Sequence, residues 1–120
     1  MSTKNEGRLE ESIERSVTRY AIEQYGACAR KMNGTGYRDW PDRLYLRTPS
    51  TQDSRDLWVE YKRRGERPRA GQGRLLRYLR ATGHLAFVVD DVGAGKKIID
   101  QWHRGDYKGV WLSPEEIDSE

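Results

Sequence analysis

Five consecutive apolar residues, Leu85-Ala-Phe-Val-Val89, stand in a chain that is 34% charged and only 35% hydrophobic. A strand with one wet face alternates apolar and polar residues, so an unbroken run predicts a strand covered on both faces. Such a strand needs helices on both sides of its sheet, and the remaining patterns supply them. Glu10 to Tyr25 places Ile13, Val17, Tyr20, Ala21 and Gln24 at helical spacing, with Gly26 just past the end. A second helix is expected from about Pro68–Gly71 to Thr82, on Leu75, Leu76 and Leu79, and a third from Lys96 to His103. Strands are expected at 27–32, at 42–47 with Leu44 and Leu46 on one face, at 57–63 with Leu57, Val59 and Tyr61 on the core face, and at 109–113. The order predicts an α/β domain, a central mixed sheet flanked by helices, in which the helix near 70–82 joins two parallel strands.

The 120 residues fit one domain, with a core over about 10–113 and tails at 1–9 and 114–120. The single cysteine, Cys28, excludes an internal disulfide and a Cys-based zinc site, and is expected to pack as a small hydrophobe. No apolar stretch is long enough for a membrane span and no signal-peptide pattern is present, so a soluble cytoplasmic protein is expected. The net charge of +3 is unevenly spread: bases outnumber acids between 55 and 80, while 114–120 is acidic. A basic middle fits a polyanion such as nucleic acid, but it equally fits a solvated surface. Gly93-Ala-Gly-Lys-Lys97 lacks the spacing of a phosphate-binding loop and reads as a helix start. His84 and His103 have no partner at ligand or triad spacing, and His103 is expected at the surface.

The charges at the strand ends need an explanation. Side chains alternate along a strand, so Trp58, Glu60 and Lys62 share the face opposite Leu57, Val59 and Tyr61. Asp42 follows Pro41 at the start of the preceding strand. If the two strands pair antiparallel, the start of one lies beside the end of the other, and Asp42 meets Glu60. Two converging carboxylates repel unless a cation lies between them, and Mg²⁺ suits such an oxygen site, completed by waters and a substrate phosphate. Taken singly, an Asp before a strand is an ordinary turn residue, and Glu-x-Lys is an ordinary solvated face.

The ordered set of Pro41-Asp42-Arg43-Leu44, Val59-Glu60-Tyr61-Lys62 and Gln72, then a leucine helix closed by Gly83, resembles the PD-(D/E)XK nuclease superfamily. Within it the set is similar to the VRR-NUC group, small versions of which occur in phages and resemble archaeal Holliday-junction resolvases. The resemblance spans roughly residues 10 to 91 and departs at Trp40, where the group often has Gly. It implies a restriction-endonuclease-like core and an endodeoxyribonuclease dependent on Mg²⁺ or Mn²⁺. Asp42 and Glu60 would hold the metal with the Tyr61 backbone carbonyl. Glu14 on the first helix, or Glu11 in its place, would complete the shell. Lys62 would orient or help deprotonate the attacking water, and Gln72 would position Lys62 or the phosphate. Arg63, Arg64, Arg67, Arg69, Arg74 and Arg77, and more weakly Lys31, would contact DNA phosphates. The resemblance also implies a homodimer acting on four-way junctions or other branched DNA, whose two-fold symmetry it would match. Two further classes stay open at this point: a DNA-binding module on a degenerate nuclease fold, and a phage interaction or inhibitor protein without DNA affinity.

Overall fold

The structure is a computed structural model that describes residues 3–32 and 38–107, with side chains from Leu9 onward. The strand expected at 109–113 and the acidic tail lie outside the described residues. Helix α1 (Thr3–Tyr25) is followed by β1 (Cys28–Lys31), β2 (Arg43–Leu46), β3 (Leu57–Tyr61), α2 (Ala70–Ala81), β4 (Leu85–Val89) and α3 (Val92–Arg104). The strands form one sheet in the order β1-β2-β3-β4. The first three pair antiparallel, and β3 pairs parallel with β4. The sheet is therefore mixed, and α2 makes the crossover that a parallel pair requires.

Helices cover both faces. Val17 and Ala21 of α1 and Ile99 and Trp102 of α3 pack on Leu57, Val59, Tyr61, Phe87 and Val89. Leu76 and Leu79 of α2 pack on Trp58 and Ala86 from the other side. The apolar run of β4 is thus explained, since its alternate residues serve two cores.

Some expectations change. On β2 it is Tyr45, not Leu44 and Leu46, that enters the larger core. Its burial is tolerated because its hydroxyl is 2.6 Å from Tyr61 Oη and 2.8 Å from Thr18 Oγ1. Leu44 packs toward α2, and Leu46 is 37% exposed. Gln24 is exposed, so the buried stripe of α1 ends at Ala21. Cys28 is also exposed, because it lies on the edge strand β1. His103 is half-buried, with its ring stacked 4.0 Å from that of Tyr25. Helix α3 begins at Val92, four residues before the expected start. Asp91 caps it by accepting the Ala94 N–H at 2.9 Å. The glycines that hid this start serve packing: a Cβ on Gly95 would lie 2.5 Å from Val17 Cγ2, so α1 and α3 approach closely only through glycine.

Candidate active site

In the β2–β3 ladder Arg43 pairs with Val59, so Asp42 and Glu60 occupy the next step of the same register. The antiparallel pairing expected from the sequence therefore brings the two carboxylates to one edge. Asp42 Oδ2 accepts the Tyr61 N–H at 2.7 Å, which ties this carboxylate to the end of β3. One residue further, the Lys62 N–H bonds to Val89 O at 2.9 Å. That bond keeps the chain extended past Tyr61, so Lys62 stays on the face of Glu60. Lys62 Nζ lies 3.3 Å from Glu60 Oε2.

Gln72 joins from α2. Its Oε1 accepts the Arg69 N–H at 2.9 Å, the reach-back of a helix capping box. Its Nε2 is thereby aimed at Glu60 Oε2, 2.9 Å away. One amide thus starts the helix and holds the carboxylate. Asp42, Glu60, Lys62 and Gln72 are all buried, Glu60 to 1% exposure. Two donors hold Glu60 Oε2, while its buried Oε1 has no hydrogen-bond partner.

The electrostatics follow from this packing. Burial, followed by the charge of Asp42, pushes the Glu60 carboxyl up to about 8, against the pull of Lys62. Burial also raises Asp42; the Tyr61 N–H opposes that, and the charge of Glu14 adds to it. A buried carboxylate oxygen without a donor beside a second carboxylate is costly for a protein alone, and it is the arrangement a hard cation relieves. The residues present therefore fit a divalent metal. Among the described residues no three His, Cys, Asp or Glu side chains form a ready cage. A two-carboxylate site still suits Mg²⁺, which keeps waters and takes substrate phosphate.

Helix α1 brings more than one acid toward this edge of the sheet. Glu14 is buried, but its Oε2 is held 2.6 Å from Arg43 Nε and 3.7 Å from Lys31 Nζ. Its charge still reaches Asp42. Glu11 is exposed and lines a cavity of about 500 Å³ with Arg15, Ile22 and Arg43. Glu10, one turn before Glu14, also lies within electrostatic reach of the site. Burial raises its carboxyl, the charge of Lys62 lowers it, and those of Asp42, Glu66 and Glu14 raise it further. The signal available in the sequence was the four-residue step from Glu14, which keeps Glu10 on the same side of the helix.

No protein-family model and no curated protein matches the sequence. Among solved structures, a chain described as a VRR_NUC domain superposes with a TM-score of 0.58 and 26% identity, over 75% of this chain and 97% of that one. This likeness in fold and sequence supports a VRR-NUC domain. Its mixed sheet and flanking helices are the restriction-endonuclease-like α/β fold.

The basic residues of the chain fall into two groups. Arg63, Arg67 and Arg69 line a cavity of about 530 Å³ in the loop after β3. Arg69 also lines a neighbouring cavity of about 340 Å³ with Arg38 and Arg74, so the two cavities adjoin at the start of α2. The second group lies away from this groove or is tied down. Arg64 is 81% exposed but pairs with Asp91 at 2.9 Å. Arg77 is exposed further along α2. Lys31 is on β1, beside Glu14.

Proposed function

We propose that this VRR-NUC domain is a metal-dependent endonuclease that hydrolyses phosphodiester bonds in DNA. The observation that carries the reading is the buried set of Asp42, Glu60, Lys62 and Gln72, with Glu60 Oε1 lacking any donor. The likeness to a solved VRR_NUC domain supports it.

Asp42 and Glu60 would hold Mg²⁺ or Mn²⁺, with the Tyr61 carbonyl as a further ligand and Glu10 or Glu14 reaching the shell directly or through water. The bound metal would supply a water of lowered pKa and neutralise charge on the phosphate. Gln72 fixes one oxygen of Glu60 and leaves the other for that role. Lys62 places an ammonium beside Glu60, where it would meet the attacked phosphate or orient the nucleophile. The groove of Arg63, Arg67, Arg69, Arg38 and Arg74 would hold the backbone near the site without reading sequence.

Branched DNA is the proposed preferred substrate and a homodimer the proposed assembly, since two sites related by a two-fold axis match a four-way junction. Purified protein with Mg²⁺ is tested on a synthetic junction beside linear duplex and single strand. Faster cutting of the junction is expected. Cutting of none of the three, together with no metal binding, rejects the nuclease.

A further inference from the structure

The cavity lined by Arg63, Arg67 and Arg69 also contains an acid, Glu66. A carboxylate in a groove suited to phosphate works against binding, so charge complementarity gives it no purpose there. Its contacts suggest one. Glu66 Oε2 lies 2.8 Å from Arg63 Nε, and its Oε1 lies 4.0 Å from Lys62 Nζ. The Lys62 ammonium therefore has Glu60 Oε2 at 3.3 Å on one side and Glu66 on the other, with the charge of Glu10 facing it from α1. Glu60 Oε2 is already shared with Gln72, so it is a weak tether for a lysine on a flexible four-carbon stem.

We propose that Glu66 is a positioning residue for Lys62, handed to it by the substrate. This rests on the nuclease reading. A DNA phosphate arriving at Arg63 competes with Glu66 Oε2 for the guanidinium. The displaced carboxylate is already beside Lys62 and completes the hold on its ammonium. Binding in the groove thereby sets the lysine at the reacting phosphate. The pairing costs some DNA affinity in exchange for alignment.

Glu66→Gln keeps the shape and removes the charge. At saturating DNA and Mg²⁺ its single-turnover cleavage rate is expected to fall up to about 100-fold, the scale of a misplaced catalytic group. Its metal-free affinity for DNA, read by fluorescence anisotropy, is expected to be unchanged or tighter. Its melting temperature should match wild type, and Glu66→Asp should recover part of the rate. A rate for Glu66→Gln equal to or above wild type overturns the inference. So does a fall in melting temperature or DNA affinity alongside the rate, which would make Glu66 a structural residue of the loop. Wild type is the control that separates the two ideas. If it neither cuts any DNA nor binds metal, the nuclease reading fails and takes this inference with it. If wild type and Glu66→Gln cut equally, only this inference fails.

Discussion

Glu60 is the residue on which chemistry and stability pull apart. Its carboxyl is buried beside Asp42 and is pushed up to about 8, above the usual 4.5. A group raised on folding lends stability that is fully present below its unfolded value and is lost as pH rises through the folded one. In metal-free buffer, Glu60 therefore weakens the fold progressively between about pH 5 and about pH 8. Glu60→Gln copies the neutral form and removes that loss. Its melting temperature minus that of wild type is expected to grow across this range; a constant difference contradicts the assignment. At this scale the sequence was informative about residues whose role is tied to chain order. Asp42, Glu60 and Lys62 sit at fixed offsets along paired strands, and Gln72 occupies a capping position. Glu10 was passed over, although its four-residue step from Glu14 keeps it on the same side of α1. Helical periodicity gives the buried side of α1, but which acid points at the site depends on how the helix tilts across the sheet.

Elements were legible where a pattern matched one period. The two helices with leucine or β-branched stripes and the run of β4 were found this way. The start of α3 was found only in part: Gly93 to Lys97 read as a helix start, but the helix proper was placed from Lys96 and begins at Val92. The reason for Gly95 is tertiary: it lies where a Cβ would meet Val17 Cγ2 at 2.5 Å and Val89 Cγ1 at 3.1 Å. Valine is stiff at χ1 and cannot swing aside cheaply. Gly95→Ala is therefore expected to cost about 1–3 kcal/mol, read as a lower denaturant midpoint. An unchanged midpoint would show that α1 and α3 separate freely. The choice of buried residue on β2 has a similar origin. Leucine is the more apolar residue, yet the buried position went to Tyr45, whose hydroxyl joins Thr18 and Tyr61 in a bonded chain that leucine could not form.

At the scale of the whole molecule, the parallel β3–α2–β4 unit brings the carboxylates and the basic groove together. The strand carries Glu60 and Lys62, the loop carries Arg63 and Arg67, and the helix start carries Arg69, Gln72 and Arg74. If the groove holds the backbone, log affinity for DNA falls linearly with log salt, by about 0.9 per phosphate contact. Arg74→Ala should lower that slope by about one contact and weaken different sequences equally. An unchanged slope places the DNA elsewhere. Among the described residues no helix is long and apolar enough to cross a membrane. Asp42 and Glu60 are proposed to serve divalent metal in phosphodiester hydrolysis. The most direct test is the cleavage rate of wild type and Glu60→Gln as Mg²⁺ is titrated from zero. Wild type should be inert without metal and rise to saturation, while Glu60→Gln binds the same DNA and cuts more than about 100-fold slower at every concentration. Cleavage that survives chelation, or that proceeds equally in Glu60→Gln, would contradict the account.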